Sequence, residues 1–221
     1  AHGIERISIN PQTLNQRTLD VIGRRHSVED VERAFYMARQ AGFSNINMDL
    51  IIGLPGETEE DFADTLRQIR QLDPDSLTIH SLVIKRASGL RSVLEERGAL
   101  GESEEVRAER MERMLQMGQQ FADRQGYQPY YMYRQKNSAG HAGSTGQENI
   151  GYARVGKECL YNILIMEEKQ TILAVGAGAS TKQYRPDLQQ VRRIENVKSV
   201  TDYIERVDEM IARKRKMPEE W

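Results

Sequence analysis

Asn45-Ile46-Asn47-Met48-Asp49-Leu50-Ile51-Ile52, followed by the turn Gly53-Leu54-Pro55-Gly56, is the stretch on which the reading of this chain depends. Ile46, Met48, Leu50 and Ile52 alternate with Asn45, Asn47, Asp49 and Ile51. That period of two describes a strand with one apolar and one polar face. After the turn, Thr58 is placed to cap a helix, with Glu59, Glu60 and Asp61 where the helix dipole favours acids. Phe62, Thr65, Leu66, Ile69 and Leu72 supply its stripe, and Asp73-Pro74 ends it. Asp49 is the sharpest residue in the stretch. A carboxylate in an otherwise apolar strand costs on the order of several kcal/mol unless it is paired. A ligand's ribose diol or ammonium group would satisfy it, and so would an ion pair with Arg6 or Arg24. The strand pattern leaves both open.

Similar units flank this one. Arg6-Ile7-Ser8-Ile9-Asn10 alternates in the same way and ends at Pro11, which cannot continue a ladder. A short helical stretch through Leu14, Leu19 and Ile22 closes at Gly23. Ser27 caps a helix carrying Glu29, Asp30, Val31, Ala34, Phe35 and Ala38, with Gly42 as its stop. Ser76 to Leu82 forms a third alternating strand, and the spacing predicts a long helix from about Ser103 to Gln125. Strands alternating with helices imply right-handed βαβ units and a parallel sheet. A parallel sheet covered on both faces has continuously apolar strands. These strands keep one polar face, so the expectation is an open or partial barrel wrapped around a ligand.

In such folds the ligand lies beyond the carboxyl ends of the strands. Those ends are Asn10-Pro11-Gln12, Asp49 to Gly56, and His80-Ser81-Leu82-Val83. Arg24-Arg25-His26 fits carboxylate recognition or a solvated turn. His80 has no second histidine at metal-ligand spacing and reads as a hydrogen-bonded histidine on the polar face.

The second half differs in composition. Tyr127 to Tyr133 is aromatic and strand-like, and the Gly- and Ser-bearing run Asn137 to Asn149 reads as a mobile loop, a possible substrate lid. Leu160–Met166 and Thr171–Val175 read as a hairpin, and Ser199–Lys216 as an amphipathic helix with a basic end. Gly176-Ala177-Gly178-Ala179-Ser180 would allow a ligand close to the backbone. The domain expectation is an α/β barrel portion over residues 1–126 and a smaller α+β cover region over 127–221.

Composition bounds the function. The chain has 221 residues, 38% hydrophobic and 29% charged, with a formal net charge of −2, which suits a sizeable core and no nucleic-acid partner. No apolar run reaches the roughly 20 residues of a membrane span, and a cytoplasmic location is expected. Cys159 is the lone cysteine, so no zinc or iron–sulfur site can be built from this chain's thiols. A strand-like run almost at the first residue suggests that a preceding part exists.

Several segments resemble the oxygen-independent coproporphyrinogen III oxidases, which are radical S-adenosylmethionine (SAM) enzymes. They are Arg6 to Gln12, Ile22 to His26, Ala41-Gly42-Phe43 and Asn47 to Thr58. Tyr130 to Asn137, Asn149 to Tyr152 and Gly176 to Lys182 look like the coproporphyrinogen dehydrogenase branch. The resemblance implies the C-terminal part of a partial (β/α) radical-SAM barrel holding SAM and a [4Fe–4S] cluster. It implies an adenosyl radical that abstracts hydrogen from a substrate propionate, with loss of carbon dioxide leaving a vinyl group. Two such rounds convert coproporphyrinogen III to protoporphyrinogen IX, and an electron donor is required. By motif position, Gln12, Arg24 and Asp49 match residues that hold SAM polar groups, and Ile51 and Val83 match positions beside the adenine. The family's three-cysteine cluster motif and its glycine-rich SAM segment are absent, and Asn10-Pro11 replaces the usual Gly-Val before Gln12. Other readings are a non-catalytic haem or tetrapyrrole chaperone of the same superfamily, and a cluster-free barrel for a nucleotide-like ligand.

Overall fold

The structure, a computed structural model, describes residues 3–82, 104–134 and 147–216. The chain divides into two compact units, residues 1–158 and 159–221.

The first unit is built on one sheet. Strand β1 (Arg6–Gln12) is followed by helices α1 (Gln16–Val21) and α2 (Val28–Gln40). Strand β2 (Asn45–Ile52), helix α3 (Glu59–Leu72) and strand β3 (Ser76–Ser81) come next. Helix α4 (Glu104–Arg124) and strands β4 (Gln128–Arg134) and β5 (Gln147–Ala153) complete it. The sheet order is β1-β2-β3-β5-β4. The first three strands are parallel, and β5 adds antiparallel to β3 with β4 outside it. The fold is therefore mixed α/β with a parallel core, and among the described residues the sheet does not close into a barrel. The aromatic strand β4, placed by composition with the C-terminal region, hydrogen-bonds through β5 into this sheet.

The local signals work as elementary physics requires. Ser27 caps α2 and Thr58 caps α3, each closing a capping box with an aspartate three residues on. Helix α2 stops where Gly42 takes φ 91°, a left-handed conformation that glycine adopts at little cost. Ile46, Met48, Leu50 and Ile52 are each 0% exposed and pack with Phe35, Phe62, Leu77, Ile79 and Met114. Each such burial stabilises by about 1.5–3 kcal/mol. Helix α4 approaches β3 closely at Gly118, where a Cβ would stand 2.4 Å from Ile79 Cδ1. Asp75 ties the strand ends together: its Oδ2 accepts from the Ile46 N–H at 2.8 Å and pairs with Arg39 at 2.7 Å.

The second unit contains α5 (Leu160–Met166), the antiparallel pair β6 (Ser180–Arg185) and β7 (Gln190–Glu195), and helices α6 (Val200–Glu205) and α7 (Val207–Arg215). Two expectations fail here. Leu160–Met166 is a helix and not a strand: a short apolar run fits either form, and the backbone closes it as a helix. Lys169 N–H bonds the Leu164 carbonyl and Glu168 N–H the Ile165 carbonyl, with Glu168 left-handed at φ 52°, which is a Schellman stop. Thr171–Val175 then makes only an isolated bridge, Ile172 to Lys182, so the expected hairpin is replaced by β6–β7. The terminal amphipathic segment is two helices broken at Arg206, whose φ −112° and ψ 23° leave the helical region. Residues 137–146 of the expected lid loop lie outside the described residues, while Gln147–Asn149 belong to β5.

Candidate functional site

The polar face of β1–β3 has two parts. In its amino-terminal part the polar side chains largely pair with one another. Arg6 Nη1 donates to Asn45 Oδ1 at 2.7 Å and Ser76 Oγ at 2.8 Å, and Asn45 Nδ2 donates to the Lys157 carbonyl at 3.0 Å. Ser76, Thr78 and Asn47 are 0%, 3% and 3% exposed. Over this part of β2 and β3, side chains satisfy one another, which leaves the rest of the polar face to a ligand. On β1 Ser8 is exposed, and toward the carboxyl ends of β2 and β3 Asp49, Ile51 and His80 are half-buried.

Asp49 sits at that transition. Asn47 Nδ2 donates to Asp49 Oδ1 at 2.7 Å, and Asn47 Oδ1 accepts from Ser76 and Thr78 at 3.1 and 3.3 Å. The amide is thereby fixed and aims the carboxylate. On the other side His80 Nε2 stands 3.8 Å from Asp49 Oδ2. Burial alone would raise the Asp49 carboxyl, but His80, Asn47 and Thr78 outweigh it and hold it below the usual carboxylate range. Burial alone would lower His80, but Asp49 and Asn149 outweigh it and raise the imidazole above its ordinary value. Arg6 is engaged elsewhere, so the charged partner of Asp49 is His80 and not an arginine. A carboxylate offers about four lone-pair positions, and those left by Asn47 and His80 are available to a ligand's hydroxyl or ammonium donors.

Gln12 lies beside this point, in register with Leu50 on the neighbouring strand after an irregularity that follows Ile9. Its φ is 69°, left-handed for a residue with a Cβ, at a cost of roughly 1–2 kcal/mol. Its side chain is 8% exposed and donates to the Asn10 carbonyl at 3.2 Å. Ile51 shares the Asp49 face and pairs in register with His80. Arg24 lies in the exposed turn after α1, and its guanidinium has no hydrogen bond or ion pair among the described residues. Val83 lies outside the described residues. The structure thus brings Gln12, Asp49 and Ile51 to one end of adjacent strands and leaves Arg24 on a neighbouring turn.

Sequence reasoning missed Asn47, Ser76 and Thr78 as supports of Asp49. Their signal was available: small polar residues at the same parity on adjacent parallel strands face one another. The glycine run at 176–180 loses its reading as a ligand cradle. The Gly176 N–H donates to Tyr203 Oη, the Gly178 N–H to the Val197 carbonyl, and the Gly176 carbonyl accepts from Asn196. A cavity of about 390 Å³ lined by Arg192, Ile194, Glu209, Ala212, Arg213 and Lys216 belongs to the second unit and contains none of the expected site residues.

The polar groups at Gln12 and Asp49, with apolar Ile51, fit a nucleoside-like cation such as SAM. An iron–sulfur cluster does not fit this chain. Cys159 is the single thiol, and no described group of three or more metal-ligating side chains exists.

Comparison with known proteins agrees with the strand geometry. Residues 1–69 match the profile of the Radical SAM superfamily. The chain is 41% identical to the oxygen-independent coproporphyrinogen-III oxidase-like protein HemZ of Bacillus subtilis (strain 168), over 94% of this chain and 39% of that protein. It is 28% identical to the heme chaperone HemW of Escherichia coli (strain K12), over 84% of this chain and 42% of that protein. Coproporphyrinogen III oxidase (HemN) of Escherichia coli, a solved radical-SAM enzyme, shares the fold with a TM-score of 0.60 at 22% identity, covering 94% of this chain and 44% of that one. The chain therefore spans less than half the length of each of these relatives.

Proposed function

We propose that this chain, which belongs to the radical-SAM family of oxygen-independent coproporphyrinogen III oxidases and their relatives, supplies the SAM-holding strand ends of an oxidoreductase acting on a tetrapyrrole. The observation that carries the reading is Asp49. It is a partly buried, ionised carboxylate, held by Asn47 near the carboxyl end of the polar face. Asp49 binds a hydroxyl pair or ammonium group of SAM, Gln12 binds a second polar group, and Ile51 packs against the adenine. Arg24, whose guanidinium has no partner among the described residues, takes the carboxylate. SAM, when bound, supplies the hydrogen-abstracting chemistry of this family. These side chains bind and orient it and exclude water from its flank. The single thiol of this chain does not hold the cluster, so its side chains act on SAM alone.

The substrate is coproporphyrinogen III, two of whose propionates become vinyl groups. The test is anaerobic incubation of the full-length protein with coproporphyrinogen III, SAM and a reductant. Vinyl-bearing products are expected on chromatography. The similarity to HemW favours a second reading, haem carriage. Stable haem binding with no decarboxylation would establish that reading and overturn the first. The protein is expected in the cytoplasm, and among the described residues no helix is long and apolar enough to cross a membrane.

A further inference from the structure

The turn after β2 ends on a buried acid for which cofactor binding has no use. Glu57 is 1% exposed. Its Oε1 accepts from the Thr13 hydroxyl, while Oε2 is buried without a hydrogen-bond partner. Thr13, also 1% exposed, is held further: its Oγ1 accepts from the Asn15 N–H at 3.2 Å and lies 3.3 Å from Thr65 Oγ1. Thr65 Oγ1 in turn accepts the Leu14 N–H at 3.2 Å. Asn15 Nδ2 donates to Asp61 at 2.8 Å, a parallel tie between the same two segments. The residue before Thr13 is Gln12, with its left-handed backbone. Such a conformation persists where its surroundings over-determine it, and here those surroundings converge on Thr13.

We propose that Glu57 is a positioning residue whose buried carboxyl group locks Thr13, and through it the left-handed Gln12, onto the turn after β2. The lock holds Gln12 and Asp49 in one geometry although Glu57 reaches no ligand. For its ligand the inference rests on the SAM reading; the lock itself does not.

The charge state gives the lock a signature. Burial raises the Glu57 carboxyl above its ordinary value, against the Thr13 and Thr18 hydroxyls; Asp61 of α3 adds to the rise and Arg17 of α1 opposes it. The acid thus keeps its proton to higher pH than an exposed glutamate. Its contribution is complete below the ordinary glutamate range and is lost as pH rises through the elevated value. Ionisation strengthens the Thr13 and Thr18 contacts but sets a charge in a buried site; the burial cost is the larger, so the turn that carries Thr13 loosens.

The experiment measures amide hydrogen exchange at Gln12–Asn15 in the full-length protein across pH, corrected for intrinsic exchange, together with SAM affinity by calorimetry. Wild type, Glu57→Gln, Glu57→Ala and Asp49→Ala are compared. Glu57→Ala is expected to speed exchange and weaken SAM binding by about tenfold, the scale of one lost buried hydrogen bond. Glu57→Gln, a neutral isostere, is expected to keep both properties and flatten their pH dependence. Folded Glu57→Ala with unchanged exchange and affinity overturns the proposal. Should Glu57→Ala not fold, a Glu57→Gln pH profile identical to that of wild type overturns it. If wild type binds no SAM yet its exchange responds to Glu57 as expected, the lock stands and the SAM reading falls. SAM binding abolished by Asp49→Ala and untouched by Glu57→Ala leaves the reading and removes the lock.

Discussion

Strand β2 and helix α5 are both short segments rich in apolar residues, and they behave oppositely. In β2, every second residue is 0% exposed and Asn45, Asn47 and Asp49 between them find polar partners. In α5, no residue is buried, and Leu160 and Tyr161 are 65% and 60% exposed. The contrast extends to their units. Around β2, helices α2, α3 and α4 contribute to a single core. In the second unit, large apolar side chains such as Leu173 and Val175 are 68% and 82% exposed. Periodicity carries structural information where it sorts residues between a packed face and another face. Where no face is fully buried, an apolar run does not choose between strand and helix.

The largest effect that can break this contrast is a cavity in β2. Leu50→Ala is expected to destabilise the first unit by about 3 kcal/mol, read by chemical denaturation followed through residues of that unit. A loss below about 1 kcal/mol would mean that the core is not built around β2. Next is a cap. Thr58→Ala removes the acceptor for the Asp61 N–H and should cost about 1 kcal/mol in the same assay, with Thr58→Ser restoring it.

A smaller effect concerns the Asp49–His80 pair. Its stabilisation is lost as pH falls through the lowered Asp49 value and as pH rises through the elevated His80 value, so it is greatest between them. The His80 resonance should titrate above the ordinary histidine value by NMR, and Asp49→Asn should bring it down. An unmoved titration would mean that the two side chains do not interact. Smallest is Val175→Ala, expected within about 0.5 kcal/mol of wild type. A larger loss there would show that the second unit's apolar surface is covered in solution and would erase the contrast.

Much of the first unit was legible because its signals are local. Ser27, Gly42 and Thr58 act within one helical turn, and the alternation in β1–β3 is read residue by residue. The internal pairing of the amino-terminal polar face was not legible. It depends on Lys157, whose carbonyl receives Asn45 and whose Nζ donates to the Ser44 carbonyl, a contact between segments far apart in sequence. The same holds for Asp49. Strand pattern offered Arg6 or Arg24 as partners, whereas the sheet brings His80 diagonally across from it. Glu57 reads as one more acid at a helix start, and only the fold buries it against Thr13. In the second unit, β6 and β7 carry charged residues on both faces and so lack the alternation that announced β1–β3.

The sheet order β1-β2-β3-β5-β4 also has a kinetic consequence. Strands β1 to β3 are each joined to the next by helical crossovers, and β4 and β5 pair with each other as neighbours in the chain. Within the sheet, among the described residues, the β3–β5 seam joins these two modules, and it must wait for α4 and the β4–β5 pair to come back across β3. Closing a large loop before any contact rewards it is the slow kind of step in folding. His80 meets Asn149 in that seam. The side chain that faces Asp49 therefore gains its final neighbour late, so the ligand end of the sheet matures after the core beneath it has formed.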